Sequence, residues 1–297
     1  MTRITLLDGS IGQELVKRSG DRATPLWSTR VMIDRPDLLG EVHADYFAAG
    51  ATIATTNTYA LHRSRLERVG LADAIPALVE TALARAETAR ARHGGRIAGA
   101  LGPLLASYRP DLNPDPSQAA KRFGELVALM KPRVDLFLIE TVSSLREAEG
   151  ALRGTRDCVK PVWLALTVTD DDGTRLRSGE PLAGIAPLIA QHDPEAVLIN
   201  CTRPEAVPAA LDILAPFGKP FGAYANGFTR ITPAFLKDNP TVDALEQRTD
   251  LDPAAYADHA MGWVGRGATI LGGCCEIGPD HIAELARRLR AAGHEIV

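Results

Sequence analysis

Short apolar runs alternate along the chain with longer stretches whose apolar residues recur at helical spacing. The runs at 4–7, 51–56, 96–101, 134–139, 162–168, 196–199, 221–224 and 268–271 read as buried parallel strands, most bounded on one side by Gly, Pro or Asp. Between them, residues 41–49, 75–92, 118–130, 145–153 and 281–292 are rich in Ala, Leu, Arg and Glu and predict helices. Pro279-Asp280, after the break at Gly278, marks the start of the last helix. Strand-like runs in that number, each followed by a helix or by room for one, predict a (β/α)8 TIM barrel, a single domain over residues 1–297. A doubly wound sheet would more often open on G-x-G-x-x-G, and the first turn here, Asp8-Gly9-Ser10-Ile11-Gly12, does not match it. The strand-poor stretches 102–121 and 227–252 read as elaborated loops over one barrel face.

A barrel places its chemistry at the C-terminal ends of its strands. By that rule Asp8 closes the first strand, Thr56 and Asn57 the second, Glu140 the fourth, and Thr167 and Thr169 the fifth. Asn200 and Cys201 close the sixth, Asn226 closes the seventh, and Cys274-Cys275 follow the eighth. Cys158 lies before the fifth strand, at the opposite end. Three thiols therefore converge from the sixth and eighth strands. Thiolates bind Zn2+ at about 2.3 Å, and a catalytic zinc takes three protein ligands and leaves a fourth position open. Gly272-Gly273 lets the chain turn tightly enough for neighbouring cysteines to face one ion. A pair of buried thiols, a regulatory vicinal disulfide, and a structural zinc closed by His281 are the alternatives.

Composition narrows the class. The 33 Lys and Arg against 37 Asp and Glu leave a net charge of −4, without the basic footprint of a nucleic-acid or anionic-membrane binder. A 45% hydrophobic, 24% charged chain has the balance of an ordinary globular protein. No apolar run approaches the roughly 20 residues of a membrane helix, and residues 1–8 lack the apolar core of a secretion signal. Four cysteines are too few for a disulfide-built secreted scaffold, and a three-thiolate site needs reducing surroundings, so the expected location is cytoplasmic.

Leu271-Gly272-Gly273-Cys274-Cys275, then Gly278-Pro279-Asp280-His281-Ile282, with Ile199-Asn200-Cys201 upstream, resembles the zinc-binding pattern of the homocysteine S-methyltransferase family. Leu7-Asp8-Gly9-Ser10, Pro25-Leu26-Trp27-Ser28, the segment from His43 to Ala51, and Phe137-Leu138-Ile139-Glu140-Thr141 are similar to further motifs of that family, so the likeness spans nearly the whole chain. The resemblance implies a zinc ion on Cys201, Cys274 and Cys275, and methyl transfer to the sulfur of homocysteine, giving methionine. It implies Glu140 as partner of the substrate ammonium, with Asp8 close by.

The turn Asp8-Gly9-Ser10 leads into a helix and offers backbone N–H groups for the substrate carboxylate. Thr56 is a further candidate for that carboxylate. Asp8 as a helix cap and Glu140 as a partner of a buried Arg are the structural alternatives. The family's donors include S-methylmethionine, S-adenosylmethionine and betaine, all small cations suited to aromatic faces. Trp27, in a context resembling the family's donor pocket, and Tyr59 are the candidates, with Tyr224 at the end of the seventh strand.

Two segments depart from the S-methylmethionine-type pattern. Thr58-Tyr59-Ala60-Leu61 stands where that group is similar to Ser-Tyr-Gln-Ala, and Tyr224-Ala225-Asn226-Gly227-Phe228 departs from the usual Pro-Asn-Ser-Gly-Glu ending. His43 and His62 read as structural, and His281 as a residue of the last helix's first turn. The competing functions are a non-catalytic zinc- or thiol-binding barrel, a methyltransferase acting on another thiol, and a phosphate-handling barrel using Gly272-Gly273 as an anion cradle.

Overall fold

The computed structural model of the chain describes residues 1–20, 26–237 and 244–297. Pro25 of the second family-like motif, and the middle of the expected loop 227–252, lie outside the described residues. The strands are β1 (Arg3–Leu6), β2 (Ile53–Thr55), β3 (Arg96–Leu101), β4 (Leu136–Val142), β5 (Val162–Leu166), β6 (Ala196–Asn200), β7 (Phe221–Tyr224), β8 (Ile270–Leu271) and β9 (Glu295–Ile296). They form one parallel sheet in the order β2-β3-β4-β5-β6-β7-β8-β1-β9. A parallel bridge between Leu7 and Ile53 joins β1 to β2. Thr52 N–H donates to Leu6 O at 2.7 Å and Asp8 N–H to Ile53 O at 3.2 Å, so the first eight strands close into a ring. Helices cover the outside of the ring, which is the single-domain TIM-barrel architecture that the strand count predicts.

The ninth strand was not expected. β9 pairs with β1 at Arg3 and Ile4, below the Leu7–Ile53 bridge, and Thr52 Oγ1 donates to Val297 O at 2.7 Å. It thereby seals the seam between β1 and β2 at the end of the barrel away from the active mouth.

Helix starts follow from local chemistry. Asp115 caps the helix Pro116–Met130 by accepting from Ser117 N–H, and Pro116 holds its first turn, so the helix begins two residues before the expected 118. Ser144 caps Leu145–Gly154 through Glu147 N–H, and Asp252 caps Pro253–Gly265 through Ala255 N–H. Among the described residues no helix is long and apolar enough to cross a membrane.

Alternation along the strands fills the barrel interior. Leu136 and Leu138 of β4, Trp163 and Ala165 of β5, and Ala196 and Leu198 of β6 point inward with Leu7, Ile53, Ala98, Tyr224 and Ile270. The next inward positions at the C-terminal ends are Glu140 on β4 and Asn200 on β6, where the apolar column gives way to polar groups. Cys274 packs on the top of the same column.

Candidate active site

The mouth holds a cavity of about 250 Å3 lined by Asp8, Trp27, Tyr59, Glu140, Tyr224 and the three cysteines. The Sγ atoms of Cys201, Cys274 and Cys275 all lie within 4.8 Å of one another. Cys201 sits just beyond β6 in a left-handed conformation (φ 48°), its N–H donating to Tyr224 O at 3.3 Å. Cys274 N–H donates to Ala225 O at 2.9 Å. The two glycines before it are demanded by crowding: a Cβ on Gly273 would stand 2.2 Å from Ile277 Cγ2, and one on Gly272 2.6 Å from Leu7 Cβ. Cys158, on the approach to β5, is far from this cluster in the fold and its thiol donates to Lys160 O at 3.6 Å.

Cys201 and Cys274 are joined as a disulfide here, with Cα atoms 5.7 Å apart, and Cys275 is the free member. Two sulfurs able to meet around an ion can also meet each other, so the three-ligand set belongs to the reduced chain. The donor set itself fits a soft or borderline metal ion: three sulfurs from the ends of β6 and β8, on either side of β7, with cavity space on one side for a fourth ligand. Burial pushes the Cys275 thiol up to about 12, so without a nearby cation it stays protonated.

Two carboxylates share the floor. Asp8 accepts from Thr55 N–H at 2.6 Å through Oδ2 and from Thr55 Oγ1 at 2.7 Å through Oδ1. It does not cap the following helix, whose first residue is Ile11. Burial outweighs those two bonds and, with the nearby Glu140 charge adding to it, raises Asp8 to about 8. Glu140 accepts from Tyr224 OH at 3.0 Å, and burial raises it to about 7. Neither carboxylate meets an Arg or Lys in an ion pair among the described residues. A buried acid and a half-buried one, close together and without a counterion, form a receptor for a cationic group, which would favour their ionised forms.

Glu140 owes its aim to an irregular strand end. The pairing of β4 with β5 shifts register between Ile139 and Val142, so Glu140 and Thr141 occupy a bulge. Thr141 is a β-branched residue at φ 60°, a conformation that persists only when its surroundings impose it. Asn200 imposes it: its Oδ1 accepts from Thr141 N–H at 3.0 Å and its Nδ2 donates to Thr141 Oγ1 at 3.1 Å.

Trp27 Nε1 donates to Gln13 Oε1 at 3.0 Å, and its ring meets Tyr59 edge-on with centroids 6.3 Å apart. Tyr59 OH shares a 2.8 Å bond with Ser107 Oγ. Both rings line the cavity. Tyr224 is turned toward Glu140 by its hydroxyl.

Thr56 lines the cavity but has no free donor. Its Oγ1 accepts from Ala100 N–H at 3.1 Å and bonds Thr58 Oγ1 at 2.7 Å, and Thr58 is itself committed to Ala100 O. Thr56 is therefore a wall of the site, not a carboxylate ligand. In the turn after Asp8, Ser10 N–H donates to Ile277 O and Ile11 N–H to Gly9 O, each at 3.0 Å, so those two amides are committed within the fold. His281 uses Nδ1 on Gly278 N–H and Nε2 on Leu251 O, so it closes the start of its helix and stays out of the sulfur cluster.

Sequence reading missed a buried ion pair beside the cysteines. Arg177 pairs with Asp170 at 2.7 Å, both nearly buried, and its Nη2 also reaches Cys201 O at 3.3 Å. Asp170 in turn accepts from Ile231 N–H at 2.9 Å, tying the loop after β7 to the loop after β5. The alternation of charges around 170–177 is that of any solvated loop, and nothing in it announces burial.

The ring and its mouth define a class: a TIM barrel with a three-sulfur centre able to take a metal, beside two carboxylates without a counterion. The profile of the homocysteine S-methyltransferase family matches residues 5–289, and the chain belongs to that family. It is 28% identical to the homocysteine S-methyltransferase YbgG of Bacillus subtilis, across 97% of this chain and 95% of that protein. Among solved structures it is similar to the homocysteine methyltransferase MmuM of Escherichia coli, in its metallated form (TM-score 0.80) and its oxidized form (0.81). Each is 28% identical and covers 96% of both chains.

Proposed function

We propose that this chain is a zinc-dependent homocysteine S-methyltransferase that makes methionine from homocysteine and a small cationic methyl donor. The observation that carries the reading is the meeting of Cys201, Cys274 and Cys275 within 4.8 Å on a cavity floor shared with two unpaired carboxylates. Zinc held by those three sulfurs in the reduced chain would supply the Lewis acidity that keeps a substrate thiol ionised near pH 7, a shortfall of about 2 kcal/mol for a free thiol.

The chain's own groups do the rest. Glu140 and Asp8 receive the substrate ammonium and orient the amino-acid end away from the sulfurs. Trp27 and Tyr59 present aromatic walls to the cationic donor. Displacement at the methyl carbon needs no general base, so the protein's task is alignment, with the acceptor sulfur about 3–3.5 Å from that carbon. An open three-thiolate set calls for a reducing compartment, and the cytoplasm is the location proposed.

The test is metal analysis followed by incubation of homocysteine with S-methylmethionine, S-adenosylmethionine, betaine and dimethylsulfoniopropionate in parallel. Methionine from at least one donor is expected. Metal without methionine from any of them would favour a non-catalytic barrel, and methylation of a different thiol would move the acceptor.

A further inference from the structure

Arg65 lies in the short helix Arg63–Leu66 after β2 and lines the same cavity as Trp27, Tyr59, Glu140 and the cysteines. Its guanidinium sits over the Tyr59 ring, 5.6 Å from the centroid, and its Nε donates to Pro103 O at 3.0 Å. Its Nη2 is shut off from solvent and has no hydrogen-bond partner. Among the described residues Arg65 forms no ion pair, whereas Arg177, beside Cys201, is neutralised by Asp170. A guanidinium stays charged at any accessible pH, so burial without an acceptor is a standing cost that a ring face only partly offsets. An anion held on the cavity side of the guanidinium would offset that cost.

The distribution of charge around the cavity gives that anion a direction. The acids Asp8 and Glu140 lie on the floor with the sulfurs, at the ends of β1 and β4. Arg65, with Arg68 one turn on, comes from the connection after β2. A sulfonium or quaternary ammonium centre placed against Arg65 would be repelled, and placed toward the carboxylates and sulfurs it would be attracted. A donor with an acid group therefore binds with its methylated centre inward and its acid outward.

We propose that Arg65 anchors the carboxylate of the methyl donor and so sets the donor's orientation, with its methylated centre toward the sulfurs. This rests on the methyltransferase reading for the identity of the ligand. The anchoring carboxylate–guanidinium contact is charge-assisted, and its loss is expected to cost about 10- to 100-fold in affinity.

The experiment measures binding to the zinc-loaded, reduced protein by calorimetry, using S-methylmethionine and dimethylsulfoniopropionate, each beside its methyl ester. Wild type, Arg65→Gln and Arg65→Lys are compared, and methionine formation from homocysteine is scored in parallel. The wild type should bind at least one acid about tenfold or more tightly than its ester, with the preference lost in Arg65→Gln and largely kept in Arg65→Lys. Equal binding of acid and ester by the wild type, binding of neither acid, or an undiminished preference in folded Arg65→Gln would each overturn the assignment. An acid preference that depends on Arg65 but comes with no methionine would uphold the anchor and refute the methyltransferase reading. Methionine formation without the preference would do the reverse.

Discussion

Asn200 grips Thr141 at two points, accepting from its N–H at 3.0 Å and donating to its hydroxyl at 3.1 Å, and so holds the strained bulge that aims Glu140 into the mouth. Asn200 precedes Cys201, so one side chain links the sulfur cluster to the carboxylate floor. Asn200→Ala leaves the Thr141 amide without its acceptor and releases the φ 60° conformation. A loss of about 1–3 kcal/mol in stability is expected by denaturant unfolding, together with a raised KM for homocysteine as Glu140 loses its aim.

Glu140→Gln removes one of two acids facing the substrate ammonium while keeping an acceptor for Tyr224. Homocysteine KM should rise by about 10- to 100-fold, equivalent to one lost charge-assisted hydrogen bond, with zinc content unchanged. Steady-state kinetics beside metal analysis checks both halves. A fall in zinc content of the same size would mean that Glu140 serves the metal and not the ammonium.

The two carboxylates also set a pH dependence. Glu140 is raised to about 7 and Asp8 to about 8, so both are largely neutral at pH 6 and poor partners for an ammonium. Homocysteine affinity should increase as pH rises from 6 to 8. In the substrate-free chain the sign for folding is the opposite: because the folded values lie above the unfolded ones near 4, the pair's stability contribution is complete below pH about 4 and is lost as pH rises through about 7 to 8. Thermal melts of the substrate-free protein across that range should decline less steeply for Glu140→Gln than for wild type.

Gly273→Ala places a methyl group 2.2 Å from Ile277 Cγ2. The loop carrying Cys274 and Cys275 must then shift, at a cost of about 1–3 kcal/mol, and zinc affinity measured by chelator competition should fall with it. Unchanged zinc affinity would show that the ligands are not positioned by this turn.

Much of the fold was legible because a barrel repeats one unit. β3 and β7 have the bounds that their apolar runs predict, and the other six expected strands are present with at least one end moved by one to three residues. β4 moved furthest, from 134–139 to Leu136–Val142, because a bulge depends on the neighbouring strand and leaves no periodic trace in its own. β9 escaped notice because a two-residue strand carries no pattern at all.

In the site, sorting residues by strand end brought Asp8, Glu140 and the three cysteines to one mouth. It could not see that Thr56 spends its hydroxyl on Ala100 and Thr58, or that Ser10 and Ile11 spend their amides within the fold. Those commitments are fixed by tertiary distances of a few tenths of an ångström. Arg177 and Asp170 look like surface charges in the chain, and only the packing of three loops buries them.

Reduction joins the sulfur chemistry to the central claim. With Cys201 and Cys274 paired, two of the three ligands are occupied by each other. The oxidised protein is therefore expected to bind no zinc and to make no methionine, and a thiol reductant added before zinc should restore both.

The most direct measurement is zinc content per chain together with methionine formation from homocysteine, for the reduced wild type and for Cys274→Ser prepared alongside it. The account expects one zinc per wild-type chain, and loss of both zinc and activity in the variant while its thermal unfolding stays cooperative. Full methionine formation by Cys274→Ser, or by a wild-type chain stripped of zinc, would contradict it.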